Sequence, residues 1–269
     1  MTRPYAEVIG DPIAHSKSPL IHGFWLEKLG IDADYRATHV LPEELSGFVA
    51  ERSADPAWRG CNVTVPHKVS VLDHVPDPGG VRQSIGAANT IFRGDSGLGA
   101  TNTDAAGFLS PIADIDLAGR PVAVIGAGGA ARAVLFALSK VGVGRVTLLN
   151  RTPLKGAALL ASFGLKGDAL PLDARLPAAA LLVNTSTLGM AGQPPLDLDL
   201  SPLPDGAIVY DIVYSPLETP LLAAAADRGL ETVDGLEMLV GQAALAFELF
   251  FGTPAPREHD AALRERLLA

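Results

Sequence analysis

The sequence is poor in cysteine, in aromatic residues and in clusters of basic side chains. Its one cysteine, Cys61, excludes a disulfide framework and a cysteine-based metal site, and its apolar surroundings predict a buried core residue. Aromatic residues make up 6% of the chain, whereas 28 glycines and 21 prolines predict many short turns. A net charge of -9 gives no general affinity for nucleic acid or for an anionic membrane, so we expect neither as a partner.

Patterns typical of membrane insertion, secretion and metal binding are missing as well. No stretch of about 20 apolar residues is free of charges and turn formers, so no membrane span is expected. The N-terminus lacks the charged-then-apolar pattern of a signal peptide, which predicts a cytoplasmic protein. The six histidines include no HExxH or comparable spacing, so we expect no metal in the site.

Short apolar runs alternate with helix-like stretches almost from end to end. Several runs are rich in Val, Ile and Leu without alternation, as in strands that are covered on both faces. This order predicts an α/β protein with mainly parallel sheets. The predicted strands are 5–10, 34–39, 60–65, 89–92, 122–126, 146–150, 181–185, 208–213 and 232–233. The predicted helices are 19–29, 42–52, 105–113, 130–141, 154–162, 217–228, 236–251 and 256–268.

The stretch VAVIGAGGAARAV, residues 122–134, carries a glycine motif between an apolar strand and a helix. Gly126, Gly128 and Ala131 fit the pattern G-x-G-x-x-G/A, in which the residues permit a tight turn, close approach of a pyrophosphate and close helix packing. The following helix start offers backbone N–H groups to phosphates. Glycine-rich turns also serve packing alone, but the strand and helix context favours a dinucleotide site.

The next predicted strand ends in Asn150, Arg151 and Thr152, with Lys155 close behind. Sites for NAD usually have an acidic residue here that binds the ribose 2′-hydroxyl, and an acid would repel a 2′-phosphate. An arginine pairs with a phosphate in fork geometry and stacks on adenine. The alternative is a solvated surface arginine; at this position we predict NADP as the cofactor in preference to NAD.

Two serines follow the first strand, at the edge where open α/β sheets bind ligands. Ser16 and Ser18 are two residues apart, so an extended backbone directs both hydroxyls to one side, where they could hold a carboxylate. The alternative is that Ser18, which precedes Pro19, caps the helix that begins there. The stretch itself does not decide between the two.

Lys68 and Asp104 each follow a strand and are predicted at the start of a helix. In GCNVTVPHK, Pro66 predicts a helix whose first turn contains Lys68, where the positive end of the dipole disfavours an ammonium group. If the two strands are neighbours, Lys68 and Asp104 converge at one edge and could exchange a proton with a substrate hydroxyl. A structural ion pair is the open alternative for this pair, and helix capping is another for Asp104.

Two further polar residues are candidates for contact with a ligand. Gln242 is predicted in an apolar stripe with Met238, Leu245 and Leu249, where its amide needs a hydrogen-bond partner, either a ligand hydroxyl or a backbone group. Tyr214 follows a predicted strand and is a candidate lining residue.

Together these motifs resemble the shikimate dehydrogenase family, whose members interconvert 3-dehydroshikimate and shikimate with NADP(H). The matching stretches lie at 16–19 (SKSP), 62–68 (NVTVPHK), 86–90 (GAANT), 101–107 (TNTDAAG), 126–133 (GAGGAARA), 150–152 (NRT), 184–190 (NTSTLGM), 211–222 (DIVYSPLETPLL) and 234–248 (DGLEMLVGQAALAFE). The resemblance therefore covers nearly the whole chain and implies an oxidoreductase of aromatic amino acid biosynthesis.

The resemblance also implies a role for individual residues. Lys68 would donate and accept the proton, oriented by Asp104, while Ser16 and Ser18 would hold the substrate carboxylate. Substrate hydroxyls would be contacted by Thr64, Asn89, Asp104, Tyr214 and Gln242. Pyrophosphate would be bound by Gly126, Ala127, Gly128, Gly129 and Ala130, and the 2′-phosphate by Asn150, Arg151, Thr152 and Lys155. Ile212 and Gly235 would lie near the nicotinamide.

Two domains are expected on this basis. Residues 1–104 plus 236–269 would form a mainly parallel α/β substrate-binding catalytic domain, with the C-terminal helices packed back on it. Residues 105–235 would form a Rossmann-type NADP-binding domain. The family usually has an acid-containing helix before GAxNT, but Pro78-Gly79-Gly80 predicts a break here, which leaves the role of that loop open.

Rival interpretations concern the substrate and the presence of turnover. A relative that prefers quinate or an aminoshikimate is one alternative, although the residues near Ser18 and Arg151 favour shikimate and NADP. A binding protein that senses the ligand without turnover is another, and the intact Lys68 and Asp104 argue against it. We expect a small-molecule substrate, and either a monomer or a homodimer.

Overall fold

The chain folds into two compact units in the computed structural model, which describes residues 3–95 and 97–269. The first unit extends up to Thr103 and also includes Gln242–Ala269. The second unit comprises the continuous segment Asp104–Gly241. The first unit is therefore assembled from two separate parts of the sequence.

The return of the chain to the first unit falls inside a helix. The sequence predicted this boundary between residues 235 and 236, whereas the units divide at Gln242, within the helix Gly235–Phe251. Met238 packs in a core cluster of the second unit, and Phe250 packs in one of the first. The change of pattern at residue 235 thus marks where the helix begins, and the units divide further along it.

A five-stranded sheet with the strand order β2-β1-β3-β4-β5 forms the centre of the first unit. Its strands are β1 (Tyr5–Gly10), β2 (Asp34–His39), β3 (Trp58–Val63), β4 (Thr90–Gly94) and β5 (Gly97–Thr101). β1 pairs in parallel with β2 and β3, whereas β4 pairs antiparallel with β3 and β5. The sequence analysis missed β5, because GLGAT has no run of β-branched or aromatic residues.

A six-stranded sheet with the strand order β11-β10-β9-β6-β7-β8 forms the centre of the second unit. Its strands are β6 (Val122–Ile125), β7 (Val146–Leu149), β8 (Gly167–Leu170), β9 (Leu181–Asn184), β10 (Ile208–Asp211) and β11 (Glu231–Val233). Every pairing in this sheet is parallel, as predicted. The edge strand β8 was missed, since GDAL lacks an apolar run.

The helices agree with the predicted positions except for the short helix Val81–Ser84, which was not predicted, and they differ at several ends. They are α1 (Ser18–Leu29), α2 (Leu45–Ala54), α3 (Val81–Ser84), α4 (Asp104–Leu109), α5 (Gly129–Val141), α6 (Pro153–Ser162), α7 (Pro220–Asp227), α8 (Gly235–Phe251) and α9 (Asp260–Leu268). Predicted helical segments are 3-10 helix at Pro42–Glu44, Ser110–Ile112 and Arg257–His259. No helix in the described ranges is long and apolar enough to cross a membrane.

Side-chain hydrogen bonds explain where two of these helices, α7 and α3, begin. α7 was predicted from residue 217 but begins at Pro220, because the Thr219 side chain accepts the N–H of Leu222 as an N-cap. α3 follows the glycine loop that was predicted to interrupt a helix, and the Asp77 carboxylate accepts the N–H of Val81 at 2.8 Å.

The sheet of the second unit is buried on both faces. Val122 and Val124 belong to one core cluster, while Ala123 and Ile125 belong to another. Successive side chains of a strand point to opposite faces, so both faces of β6 are covered by apolar groups. This explains the continuous apolar runs in the sequence.

In the first unit, α8 packs closely on the sheet, with an aromatic ring directly against the strand backbone. Ala6, Ala246 and Phe250 form a buried cluster. Gly60 has φ +147°, and a Cβ atom there would lie 2.2 Å from the Ile91 carbonyl oxygen and 2.8 Å from the Phe250 ring. Only glycine permits this approach, which places the C-terminal part of α8 directly over the sheet. Cys61, one residue further on, is fully buried, as predicted.

His22 on α1 is the most unusual buried polar residue in this core. Its ring stacks on Tyr35 with centroids 3.9 Å apart and meets the edge of Trp25 at 5.6 Å. Both ring nitrogens are buried and have no hydrogen-bond partner in the described part of the chain. Desolvation by burial lowers the pKa of His22 from 6.5 to about 3.

This burial predicts a specific loss of stability in acid. Below pH 6.5 the unfolded chain binds a proton at His22 that the folded chain does not bind until about pH 3. The free energy of unfolding should therefore fall by up to about 1.4 kcal/mol per pH unit from this group over that range. Denaturant unfolding measured from pH 7 to 4 should show a shallower slope for His22→Leu. The same change at the exposed His74 should not alter the slope; equal slopes for wild type and His22→Leu would contradict the prediction.

Candidate active site

The turn after β3 holds Lys68 in a conformation that the sequence did not predict. Pro66 predicted an α-helix with Lys68 in its first turn, but Lys68 lies in an irregular turn, and a short 3-10 helix begins only at Ser70–Asp73. The N–H of His67 donates to the Thr64 carbonyl at 2.9 Å and the N–H of Val71 donates to the His67 carbonyl at 2.9 Å, so two successive turns hold this segment. The prediction that Lys68 lies in the first turn of an α-helix was therefore wrong.

The backbone at Lys68 is fixed on both sides. Its carbonyl accepts the N–H of Ala88 at 2.7 Å, so Lys68 lies beside the residue that precedes Asn89. The ring of His67 is fully buried, and its Nε2 pairs with the Val40 carbonyl at 2.7 Å. Lys68 itself is half-buried. This turn thus brings the Lys68 and Asn89 backbones together.

Asn89 is the centre of a buried amide and hydroxyl cluster. Its Nδ2 donates to Thr103 Oγ1 at 2.8 Å and to Gln242 Oε1 at 3.2 Å, and its Oδ1 accepts the N–H of Thr103 at 2.8 Å. Thr103 Oγ1 also lies 3.4 Å from Gln242 Oε1. Two predicted residues, Asn89 and Gln242, are therefore in contact although they are far apart in sequence. Asp104, which follows Thr103, is buried at the start of α4.

The predicted apolar stripe around Gln242 was wrong in part. Leu245 is 40% exposed, and Leu249 is half-buried. The buried positions near Gln242 on α8 are instead Ala246 and Phe250, one helical turn and two turns along the same face. The prediction placed Leu245 and Leu249 on the buried face, where Ala246 and Phe250 lie instead. Gln242 itself is buried.

A second polar chain joins this cluster to the serine loop. The Tyr35 hydroxyl donates to Asn62 Oδ1 at 2.6 Å, and Asn62 Nδ2 donates to Thr90 Oγ1 at 3.2 Å. Burial raises the pKa of the Tyr35 phenol well above its usual value, while a hydrogen bond with Ser18 acts in the opposite direction. The Thr90 hydroxyl in turn donates to Asn89 Oδ1 at 3.0 Å.

Tyr35 was not identified from the sequence, and Asn62, Thr90 and Thr103 were quoted in motifs without a role of their own. The pattern at Asn62 was available, because a buried amide at the end of a strand needs a partner. Tyr35 offered no such signal, since it stands in a polar edge strand.

The serine loop does not use Ser18 as a helix cap. Ser18 is the first residue of α1 and is buried, and the capping position is Lys17, whose side chain does not bond the first turn. The Ser16 hydroxyl instead accepts the N–H of Ser18 at 3.3 Å. Lys17 Nζ reaches the carbonyl of Leu267 at 2.5 Å, in the last turn of α9. The capping alternative for Ser18 is thus excluded, and its hydroxyl bonds Tyr35, while binding of a carboxylate stays a prediction.

In the second unit, the glycine motif forms the turn between β6 and α5. Gly126 has φ +102°, and a Cβ atom there would lie 2.9 Å from Thr185 Oγ1. Gly128 precedes α5 in an extended conformation, and Ala131 is fully buried against the core. Ala127 completes the turn, and Gly129 and Ala130 are the first residues of α5. The free N–H groups of a helix start, with no side chain in front of them, suit a pyrophosphate.

Asn150, Arg151, Thr152 and Lys155 lie between β7 and the first turn of α6. Asn150 Nδ2 donates to the Thr152 carbonyl at 2.9 Å and so closes the loop. Arg151, Thr152 and Lys155 are exposed. Two cations thus stand at the carboxyl edge of the sheet, where a nucleotide phosphate can reach them.

Ile212, Tyr214 and Gly235 lie after β10 and at the start of α8. A Cβ atom at Gly235 would lie 2.3 Å from the Ile212 carbonyl oxygen, so these two residues are in direct contact and only glycine fits. Tyr214 is half-buried, and desolvation raises the pKa of its phenol. Within the described residues, no group of three or more His, Cys, Asp or Glu side chains could hold a metal ion.

Comparisons with known proteins agree with this arrangement. The family model "Shikimate dehydrogenase substrate binding domain" matches residues 8–91, and "Shikimate 5'-dehydrogenase C-terminal domain" matches residues 235–262. "Shikimate dehydrogenase (NADP(+))" of Sphingopyxis alaskensis is 68% identical over 99% of this chain and 97% of its own length. The enzyme of the same name from Azorhizobium caulinodans is 46% identical over 97% and 95%.

Solved structures share the fold over the whole chain. The shikimate 5-dehydrogenase of Thermus thermophilus, in complex with NADP(H) and shikimate, has a TM-score of 0.84 and 39% identity, covering 98% of this chain and all of that one. A ligand-free 5-ketofructose reductase of a Gluconobacter strain has a TM-score of 0.86 and 28% identity, covering 100% and 98%. From the near-complete match to its curated relatives, the chain belongs to the shikimate dehydrogenase family.

Proposed function

We propose that this protein catalyses the reversible, NADP-dependent reduction of 3-dehydroshikimate to shikimate, as a step of aromatic amino acid biosynthesis. The observation that carries the proposal is the buried cluster of Asn89, Thr103 and Gln242 beside the Lys68 backbone. Amide and hydroxyl groups at such density suit a ligand with several hydroxyl groups. The 68% identity to a shikimate dehydrogenase supports the same substrate.

Each proposed substrate contact follows from the chemistry of the group. The Ser16 and Ser18 hydroxyls donate hydrogen bonds to the carboxylate of the substrate. Asn89, Gln242, Thr64 and Tyr214 contact its hydroxyls, and Lys68 gives its proton to the oxygen that forms on reduction and takes it back in the reverse reaction. Asp104 orients Lys68 and contacts the substrate as well.

The second unit fits NADP. The dinucleotide supplies hydride chemistry when it is bound. Gly126, Ala127, Gly128, Gly129 and Ala130 bind the pyrophosphate, because Gly126 permits the tight turn and the N-terminus of α5 offers its backbone N–H groups.

Asn150, Arg151, Thr152 and Lys155 bind the 2′-phosphate, and Ile212 and Gly235 line the nicotinamide end. We further propose that the protein works in the cytoplasm on small molecules alone, as a monomer or a homodimer.

The test is a spectrophotometric assay of the purified protein at the reduced-nicotinamide band. Shikimate and quinate are each offered with NADP or NAD, and 5-ketofructose is offered with NADPH because a reductase of that sugar shares the fold. We expect fast turnover for shikimate with NADP only. Preference for quinate or for 5-ketofructose would contradict the proposed substrate and leave the fold in place. If the protein binds shikimate but turns over none of these combinations of substrate and cofactor, a protein that senses the ligand without catalysis would be favoured.

A further inference from the structure

We infer that Asp211, the last residue of β10, is a positioning residue for the nicotinamide end of the cofactor site. The inference rests on the proposed function, because it takes Ile212 and Gly235 to lie at that end. Asp211 contacts neither proposed ligand; it acts through the loop that follows it. Its side chain is fully buried, and no residue role proposed above accounts for it.

Three neutral donors hold the Asp211 carboxylate. Its Oδ1 accepts from Asn184 Nδ2 at 2.9 Å and from the N–H of Val213 at 3.0 Å. Its Oδ2 accepts from Thr219 Oγ1 at 2.7 Å. Desolvation raises the pKa of this carboxyl, and the three hydrogen bonds oppose that change. A buried acid with this many fixed donors holds its neighbours in one arrangement.

The bond to Val213 fixes the residue between them. Asp211 and the N–H of Val213 close a turn over Ile212, whose own N–H donates to the Asn184 carbonyl at 3.2 Å. The carbonyl of Ile212 lies against Gly235, where a Cβ atom would approach it to 2.3 Å. The Asp211 carboxylate thus sets the position of the backbone at the proposed nicotinamide end.

Asn184 extends the network to the loop after β9. Its Oδ1 accepts from the N–H of Ser186 at 3.0 Å and from the Ser186 hydroxyl at 2.7 Å. Its Nδ2 also donates to the Leu188 carbonyl at 3.0 Å. The adjacent Thr185 hydroxyl donates to the Ile125 carbonyl at 2.6 Å, directly before the glycine turn.

The network therefore joins the carboxyl ends of β6, β9 and β10, the edge at which α/β sheets bind ligands. Thr219 adds a fourth link, because it donates to Asp211 and caps α7 through Leu222. The carboxylate thus fixes the loop after β10 at two points and ties it to the end of β9, which Thr185 in turn joins to β6. Small displacements of such loops change how a bound ligand is oriented.

The experiment compares two ligands on Asp211→Ala and needs no turnover. NADPH carries the nicotinamide, whereas adenosine 2′,5′-bisphosphate carries only the adenine and the 2′-phosphate. We expect Asp211→Ala to weaken NADPH binding roughly tenfold by fluorescence titration and to leave the bisphosphate within about twofold. Equal weakening of both ligands, or no weakening of either, would overturn the inference. Because binding alone is measured, a wild type that fails to turn over shikimate leaves this result interpretable.

Two variants separate positioning from stability. Asp211→Asn keeps one acceptor oxygen for Asn184 and Val213, so it should fold and lie between wild type and alanine in NADPH affinity. Asp199→Ala is the control, since Asp199 likewise accepts hydrogen bonds from neighbouring residues, two from Ser201, but in an exposed loop without a proposed site residue. It should bind both ligands as the wild type does. If Asp211→Asn lowers the melting temperature and leaves NADPH affinity unchanged, the role is structural and the inference fails.

Discussion

Replacing Lys68 with alanine is expected to lower kcat by roughly 10²- to 10⁴-fold, the usual contribution of a positioned general acid or base. The change removes the proposed proton donor and leaves the hydrogen bonds of Asn89 to Thr103 and Gln242 in place, because other side chains make them. Shikimate binding, measured by calorimetry, should weaken far less than turnover. A kcat near that of the wild type would exclude Lys68 as the proton carrier.

Two further variants test charge separately from proton transfer. Lys68→Arg keeps a cation, but a guanidinium does not release its proton in this pH range, so turnover should remain low. Recovery of activity in Lys68→Arg would show that the positive charge, and not the proton, matters. Lys166→Ala is the matched control, because Lys166 is an exposed lysine of the second unit with no proposed role. It should turn over as the wild type does.

Replacing Arg151 with alanine is expected to remove much of the preference for NADP. Hydrogen bonds to charged groups contribute about 1.5–3 kcal/mol, which corresponds to roughly a 10- to 150-fold rise in KM for NADP. NAD lacks the 2′-phosphate, so its KM should change little. The measurement is the ratio of kcat/KM for the two cofactors at fixed salt, because exposed charges are screened by ions.

Arg145 provides the control at the opposite end of the same strand. It precedes β7 and pairs with Asp168 at 2.5 Å, whereas Arg151 follows β7. Arg145→Ala should leave both cofactors unaffected. If Arg151→Ala instead weakens NADP and NAD equally, the arginine stacks on the adenine that both share and does not select the phosphate.

The strands that were predicted most accurately from the sequence are those whose own residues form a continuous apolar run. Runs such as VAVI and LLVN are apolar throughout because both faces of the sheet are covered, and these were located to within a residue. β5 and β8 have no such run, because GLGAT contains two glycines and GDAL contains a glycine and an aspartate. β5 is held by its pairing with β4 and β8 by its pairing with β7, and these backbone hydrogen bonds leave no record in the composition of either strand.

The candidate site shows the same limit. Gly126 and Gly128 were identified because a tight turn requires glycine whatever the rest of the fold is. The roles of Tyr35 and Thr103 were missed, because their polar partners, Asn62 and Gln242, come from distant segments. The helix expected at Lys68 was wrong because the buried contact of His67 with Val40 fixes the turn from outside the segment.

The first unit is assembled from two separate parts of the sequence, and this has a consequence for the folding of the chain during its synthesis. A ribosome releases β1 and α1 long before α8, yet Ala6 is packed against Phe250 and Trp25 against Phe247. The continuous second unit is complete before those partners emerge. The part of the protein that is synthesised first is therefore the last to bury its apolar surface, and a growing chain must keep that surface from aggregating until its final helices appear.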